Sequence, residues 1–240
     1  MALTILFYLS VLAFSQAVVL PNQDYYHPHV VRHYTIRIQN TSNNAVCTGA
    51  ILNETRVITT ATCFLPHGNT SRPEQLRILV GNANFGDNFT STHNVVQIIV
   101  HENFTAFPIA INDIALLQVT PPIIPSDIIQ FVKLPENDDV SNDDIYRFAI
   151  LGFCTNERKF YIPNPLFSVM SFNTKDQDLR KRMDEHKFET NGYCTDCMFD
   201  PGALIIRNGK LVGLKSSNHR DNICKPFIFT RVASYLTWIK

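Results

Sequence analysis

The chain has 240 residues, of which 45% are hydrophobic and 18% are charged, a composition typical of a globular protein that can bury a substantial core. Lysine plus arginine equals aspartate plus glutamate at 21 each, so no net charge attracts the chain to nucleic acid or to an anionic membrane. These values argue against a nucleic-acid-binding protein and favour a folded domain that binds or transforms other molecules.

The chain begins with an apolar segment that is typical of a secretory signal peptide. Residues 1–17, MALTILFYLSVLAFSQA, end in the small-x-small pattern Ser15-Gln16-Ala17, which predicts cleavage after Ala17. The apolar stretch is shorter than the roughly 20 residues that cross a bilayer, and polar residues follow it at once. We therefore expect residues 18–240 to form a secreted, extracellular domain without membrane insertion.

Sequons and cysteines fit an exported chain. Six cysteines, an even number, predict three disulfides in an oxidising compartment, although spacing alone does not fix their pairing. Five Asn-x-Ser/Thr triplets, all before residue 106, predict N-glycosylation at Asn40, Asn53, Asn69, Asn88 and Asn103.

From residue 34 onward the chain reads as a series of short β-strands. HYTIRIQN alternates Tyr34, Ile36 and Ile38 with polar residues, which predicts a half-buried strand. Six further segments are rich in β-branched and aromatic residues and are separated by Asn, Gly, Pro and Asp: RVITTATCF, LRILVGN, NVVQIIVH, DIALLQV, FVKLP and YRFAILGF. The sequence therefore predicts an all-β fold of two antiparallel halves that meet near residues 120–145.

The C-terminal part carries two further structural signals. Asn208-Gly209 separates two apolar runs, which predicts a hairpin with a type I′ turn because both residues tolerate a positive φ. The charged segment 174–189 favours a solvated surface element. A short amphipathic helix is predicted where apolar residues recur at helical spacing, at Val232, Tyr235, Leu236 and Ile239.

Four motifs occur in the order found in trypsin-like serine proteases. CTGAILNETRVITTATCF resembles the family's first cysteine loop, which ends in Thr-Ala-Ala-His-Cys, and INDIALLQV resembles the Asn-Asp-Ile-Ala-Leu-Leu element. CMFDPGALI resembles Cys-x-Gly-Asp-Ser-Gly-Gly-Pro-Leu, and CKPFIFTRVASYLTWI resembles the family's C-terminal segment. The resemblance spans almost the whole predicted mature chain. It implies two six-stranded antiparallel β-barrels and a short C-terminal helix.

The resemblance places the catalytic triad at Thr62, Asp113 and Pro201. In the family, a histidine at the first position takes the proton of a serine at the third, and the aspartate fixes the histidine tautomer. Threonine has no basic nitrogen and proline has no nucleophile. We therefore predict no catalytic residue, and we expect Asp113 to accept hydrogen bonds from local hydroxyls or amides.

The oxyanion hole is altered by the same substitutions. The family uses the backbone N–H groups of the nucleophile and of a glycine two residues before it, and losing one such donor typically lowers the rate by about 10²–10³. Pro201 has no N–H, and Phe199 replaces the glycine and its conformational freedom. These changes predict a non-catalytic serine protease homologue, a pseudoprotease.

Substrate recognition and activation also depart from the family pattern. Thr195 lies at the base of the former specificity pocket, Phe227 replaces a glycine on its wall, and Ser216 is retained. Active members expose an Ile-Val-Gly-Gly start whose α-ammonium pairs with the aspartate at Asp200. No such sequence occurs here, and the predicted mature start at Val18 shares only its first two residues. We do not expect this form of activation.

The resemblance also implies how the cysteines pair. The implied bridges are Cys47–Cys63, Cys197–Cys224 and, for the two that remain, Cys154–Cys194. A redox or zinc motif at Cys194-Thr-Asp-Cys197 is the alternative, and His27-Pro-His29 has a spacing that suits a metal. A single C-x-x-C in an exported chain is weak evidence for either, so we predict no metal and no cofactor.

The motifs together favour binding over catalysis. The first hypothesis is a secreted, inactive homologue that binds a protein, as cofactor, decoy or regulator of extracellular proteolysis in fluids such as haemolymph or seminal fluid. The second is an enzyme with rebuilt chemistry, for instance at Cys194 or Asp196 beside Asp200. The third is a carbohydrate- or matrix-binding module. The protein partner itself cannot be read from the residues.

Overall fold

The first half of the chain folds into a closed β-barrel. The computed structural model describes residues 33–64, 72–81, 89–106, 110–136, 145–156, 161–173, 187–189, 197–216 and 228–240, and the predicted signal peptide lies outside this set. Six antiparallel strands close the barrel in the order β1-β2-β3-β6-β5-β4. Their bounds are β1 Thr35–Asn40, β2 Ala45–Ile51, β3 Arg56–Thr59, β4 Leu76–Val80, β5 Ser91–Val100 and β6 Ala115–Thr120. The predicted six-stranded barrel is confirmed for this half.

The second half of the chain forms a seven-stranded antiparallel sheet. Six strands follow the order β10-β7-β11-β12-β13-β9, and β8 also pairs with β7. Their bounds are β7 Ile145–Asn156, β8 Tyr161–Asn173, β9 Lys187–Glu189, β10 Cys197–Phe199, β11 Leu204–Arg207, β12 Lys210–Lys215 and β13 Ile228–Arg231. The all-β fold class is confirmed, while closure of this sheet into a second barrel stays a prediction.

Local turn and helix signals agree with the structure. Asn208 and Gly209 have φ values of 50° and 72° and connect β11 to β12, as a type I′ hairpin requires. Short 3₁₀ helices span Ala61–Phe64, Pro73–Gln75 and Val232–Tyr235, and the last continues into helix α1, Leu236–Ile239. The predicted C-terminal helix is therefore confirmed. Among the described residues no helix has the length and hydrophobicity needed to cross a membrane.

Three sequence predictions about local structure are corrected. Strand β1 is buried on both faces, because Arg37 at 7% exposure lies beneath the Phe89 ring while Ile36 and Ile38 fill the barrel. FVKLP forms no strand, and its Lys133 makes only an isolated bridge to Lys210. The charged segment 174–189 ends in β9, which pairs with β13, so its last residues belong to the sheet.

The two halves of the chain meet along a second apolar core. One buried cluster fills the first barrel and includes Ile36, Ile78 and Leu117. Another joins residues of the first barrel, such as Ile58, to Leu204 and other residues of the second half. Burial of this surface fixes the halves against each other, and Thr62, Asp113 and Pro201 lie at this seam.

Candidate functional site

Asp113 lies at the centre of the seam, just before β6. The preceding residue, Asn112, has a left-handed φ of 51°, and its side-chain Oδ1 accepts a hydrogen bond from Tyr235 Oη at 3.0 Å. The hydroxyl of Thr230 donates to the main-chain oxygen of Asp113 at 2.8 Å. The second half of the chain thereby holds the backbone at Asp113 in place, and only 1% of the residue is exposed.

Thr62 contacts the Asp113 carboxylate through two hydrogen bonds. In the 3₁₀ helix Ala61–Phe64, the Thr62 N–H donates to Asp113 Oδ1 at 2.8 Å and the Thr62 hydroxyl donates to Oδ2 at 3.1 Å. Ser216, from the other half of the chain, also donates its hydroxyl to Oδ2. Asp113 thus accepts hydrogen bonds from local hydroxyls and an amide, as the sequence suggested. Burial raises the pKa of Asp113, and the hydrogen bonds from Ser216 and Thr62 oppose that rise.

Pro201 lies in a loop that is fixed between β2 and β12. Its carbonyl oxygen accepts the Thr48 N–H at 3.0 Å, and the following Gly202 N–H donates to the Lys215 oxygen at 2.8 Å. Gly202 has a φ of 79°, and a Cβ there would fall onto the main-chain oxygen of Thr48 and the hydroxyl of Thr59. The loop therefore makes a tight turn at Gly202 beside the seam. The residue before this glycine, Pro201, has neither a hydroxyl nor an N–H.

Asp200, at the start of this loop, interacts electrostatically with Lys215 and Arg37. Burial raises the pKa of Asp200 to about 7, against the opposing effects of the positive charges of Lys215 and Arg37. Burial lowers the pKa of Lys215 to about 8, while the charges of Asp200 and Asp113 act in the opposite direction. Asp200 Oδ2 is buried and accepts no hydrogen bond from any residue that the structure describes. For both Asp200 and Lys215, burial therefore changes the pKa more than the opposing charges do.

Sequence reasoning did not find Lys215 or Arg37. Both end up buried, at 6% and 7% exposure, although each is the kind of residue that usually reaches solvent. The signal was present but weak, since each basic residue stands within a strand of apolar neighbours, Arg37 between Ile36 and Ile38 and Lys215 after Leu214. Only the fold shows that both face Asp200.

Part of the predicted site lies outside the described residues. This applies to Thr195 and Phe227 of the former pocket, to the cysteines Cys194 and Cys224, and to the sequons Asn69 and Asn88. Cys154 lies in β7 and Cys197 lies in β10, and only their backbones belong to the described part of the chain. The Cys47–Cys63 disulfide is present, with a Cα–Cα distance of 5.9 Å, and it links β2 to the 3₁₀ helix that carries Thr62.

Three predicted glycosylation sites are described, and they differ in local geometry. Asn40 Oδ1 accepts the N–H of Asn44 at 2.9 Å, and Asn53 Oδ1 accepts the N–H of Thr55 at 3.0 Å. Asn103 is exposed, and its main-chain N–H donates to His101 Nδ1 at 3.2 Å. Across the described parts of the chain, no group of three or more His, Cys, Asp and Glu side chains is placed to hold a metal ion.

A family model described as Trypsin matches residues 22–239, almost the whole chain. The chain belongs to the trypsin family. Chymotrypsin-C of Mus musculus is 25% identical over 215 residues, covering 81% of this chain and 76% of the mouse protein. Chymotrypsin-2 of Vespa crabro is 27% identical over 157 residues, covering 62% of this chain and 70% of its own length.

A solved structure of the same fold is also similar to this chain. The crystal structure of scabies mite inactivated protease paralogue S-D1 superposes with a TM-score of 0.71 and 18% sequence identity, covering 86% of this chain and 90% of the mite protein. The trypsin-family fold assignment therefore rests on both sequence and structure. The assignment of the triad positions to Thr62, Asp113 and Pro201 stays a prediction.

Proposed function

We propose that this protein is a secreted trypsin-family member that does not hydrolyse peptides and acts by binding another extracellular protein, as a cofactor, decoy or regulator of proteolysis. The observation that carries the proposal is the Thr62–Asp113 pair. Both the N–H and the hydroxyl of Thr62 donate to the Asp113 carboxylate. The aspartate that would orient a general base instead holds a threonine, which takes no proton near neutral pH.

The nucleophile position supports the same conclusion. Pro201 offers no hydroxyl, and its carbonyl is bound to the Thr48 N–H. Its ring nitrogen has no hydrogen, so it donates nothing to an oxyanion. The site therefore lacks the general base, the nucleophile and one of the two oxyanion donors that a serine protease uses.

The retained framework supports a binding role. The barrel, the Cys47–Cys63 bridge and the seam around Asp113 remain in place while the reacting groups are replaced. The mite protein of similar fold is itself described as an inactivated protease paralogue, so the fold occurs in a protein that carries that description. Surface loops on a rigid β scaffold provide variable binding surfaces without any need for catalysis.

A fluorophosphonate probe tests the loss of the serine nucleophile. Purified protein, with any signal peptide removed, should show no labelling under conditions in which active trypsin is labelled completely. The Asp113→Asn variant is the matched control, because a functional triad depends on that carboxylate. Labelling of the wild-type protein that the variant loses would refute the proposal.

Affinity capture tests the binding role. The tagged protein is incubated with the native secretion in which it occurs. It should retain a trypsin-family protease or another secreted protein. An unrelated glycoprotein of equal size, used as the control, should not retain that protein. Isothermal titration with the purified partner should then give saturable binding. Retention of glycans without a protein would instead support the matrix-binding alternative.

Lys215 motivates a second candidate, an enzyme with rebuilt chemistry. A buried amine whose pKa is lowered to about 8 is a possible general base, and Asp113 lies in its electrostatic field. However, Lys215 is only 6% exposed, and its Nζ donates to the Ser216 main-chain oxygen at 3.4 Å. A substrate does not reach it in this arrangement. Any hydrolysis that Lys215→Met abolishes and Lys240→Met leaves intact would favour this candidate.

A further inference from the structure

A cleft lined by residues of both halves of the chain plays no part in the proposed function. It has a volume of about 530 Å³ and lies between the segment that follows β5 and the C-terminal helix. We call it the Trp238 cleft. Its lining includes His101, Glu102, Asn103, Asn112, Tyr235 and Trp238.

Aromatic rings form one wall of the Trp238 cleft. The His101 ring meets Tyr235 edge-on, with centroids 5.3 Å apart, and lies 5.2 Å from the Trp238 ring at an angle of 41°. The Trp238 indole N–H donates to Glu102 Oε2 at 3.0 Å. The indole therefore has a fixed orientation beside an exposed carboxylate, which gives the cleft both an apolar face and polar atoms.

The Asn103 sequon forms part of the same cleft. Asn103 lines it, and Thr105, the hydroxyl residue of the sequon, pairs with Ile111 through two main-chain hydrogen bonds of 2.8 and 3.1 Å. Asn112 Nδ2 donates to the main-chain oxygen of Asn103 at 2.8 Å. The sequon backbone is therefore held in one place at the cleft, with its asparagine exposed.

We propose that the N-glycan carried by Asn103 occupies the Trp238 cleft, with its first N-acetylglucosamine residues against the Trp238 indole. The apolar C–H face of a sugar suits an aromatic ring, while amide and carboxylate oxygens accept hydrogen bonds from its hydroxyls. A glycan attached at the cleft also has a very high effective concentration there, which a free sugar does not have. This inference rests on the proposed export and glycosylation of the protein.

Trp238 provides a specific probe, since the chain contains a single tryptophan. Full-length protein secreted from a eukaryotic host is compared with Asn103→Gln and with Asn53→Gln, which removes a sequon outside the cleft. Acrylamide quenching should increase about twofold in Asn103→Gln, because a sugar stacked on one face covers about half of the indole. Asn53→Gln should be quenched like the wild type.

Enzymatic trimming avoids dependence on any variant. Native glycoprotein treated with a peptide N-glycosidase should show the same increase in quenching as Asn103→Gln. Mass spectrometry that finds Asn53 occupied and Asn103 unoccupied would overturn the inference and leave the proposed export standing. If both asparagines lack glycans, the inference and the proposed glycosylation fail together. An equal degree of acrylamide quenching in Asn103→Gln and Asn53→Gln would also overturn it.

Discussion

Asp200 is the residue at which burial has its clearest energetic consequence. Its pKa is raised from 3.8 to about 7 by burial, so between these pH values the folded state keeps a proton that the unfolded state releases. The contribution of Asp200 to the free energy of unfolding therefore falls as pH rises from about 4 to 7. Lys215 acts in the opposite sense. Burial of its positive charge lowers the free energy of unfolding below about pH 8, and this destabilisation disappears as pH rises from 8 to 10.5.

Substitution of Asp200 tests this pH dependence. Asp200→Asn keeps the shape and cannot ionise, so its free energy of unfolding relative to wild type should rise between pH 4.5 and pH 7 by on the order of 2–3 kcal/mol. Urea unfolding at several pH values measures the difference. Asp127→Asn, at an exposed aspartate, is the matched control variant. If the unfolding free energies of the wild type and Asp200→Asn changed in parallel with pH, the raised pKa of Asp200 would be contradicted.

Gly202 is a residue whose identity the local geometry requires. It shares a positive φ with Gly209, 79° against 72°, but only Gly202 lies directly against the Thr48 main-chain oxygen. Gly209→Ala should cost about 1 kcal/mol of unfolding free energy for the backbone strain. Gly202→Ala should cost about 3 kcal/mol or more, because a steric clash adds to that strain. If thermal or urea unfolding gave equal losses of unfolding free energy for Gly202→Ala and Gly209→Ala, the predicted clash with Thr48 would be contradicted.

At the scale of elements, the disulfide connects the first barrel to the site. Cys47 and Cys63 are 16 residues apart, and a loop of that length gives about 3 kcal/mol of stabilisation through the unfolded state. The double variant Cys47→Ala, Cys63→Ala should lose roughly that amount in urea unfolding while keeping its far-ultraviolet circular dichroism. A loss below about 1 kcal/mol would mean that the unfolded chain is already constrained here.

The strands themselves were largely predictable, because period-two patterns and turn residues act locally. The Asn208-Gly209 hairpin is the clearest case, since both residues adopt the positive φ that their types favour. Burial of both faces of β1 was not predictable, because it depends on what packs against Arg37 from outside the barrel. FVKLP has strand composition, but Lys133 finds only one bridge partner, and pairing is decided by the fold.

The site was predictable only where a motif marked it. Thr62, Asp113 and Pro201 were placed by the order of family motifs, and the structure brings Thr62 and Ser216 onto the Asp113 carboxylate. The charges around Asp200 were not predicted. Nothing local to Lys215 indicates that its ammonium is buried, because that outcome depends on the packing of β12 against the loop of Gly202.

At the scale of the whole molecule, the internal charge of Lys215 bears on maturation. The family resemblance predicts that active members bring a newly cut, positively charged N-terminus to the position of Asp200, whereas here the charges of Lys215 and Arg37 oppose the rise in the pKa of Asp200 from within the chain. We expect Lys215→Met to raise the pKa of Asp200 further, measured by carboxyl carbon NMR. Acetylation of the N-terminus should leave that titration unchanged. A shift on acetylation, without one in Lys215→Met, would contradict this expectation.

Both halves of the chain contribute to the site, so its chemistry can be judged only in the intact protein. Asp113 comes from the first barrel and Ser216 from the second half, and the apolar core between them holds the seam closed. Replacement of Pro201 or Thr62 alone does not rebuild a triad, because base, nucleophile and oxyanion donor act as a unit. We therefore propose that the molecule keeps the framework of a trypsin-family protease while hydrogen bonds occupy its former reaction centre.

The most direct test of that description is turnover of a mixed peptide library by the intact protein, read by mass spectrometry over pH 5–9. This assay detects hydrolysis by any mechanism, including one that uses Lys215. The account predicts no cleavage above that of a heat-denatured sample, with trypsin as the active control. Site-specific cleavage by wild-type protein that Asp113→Asn or Lys215→Met abolishes would contradict it.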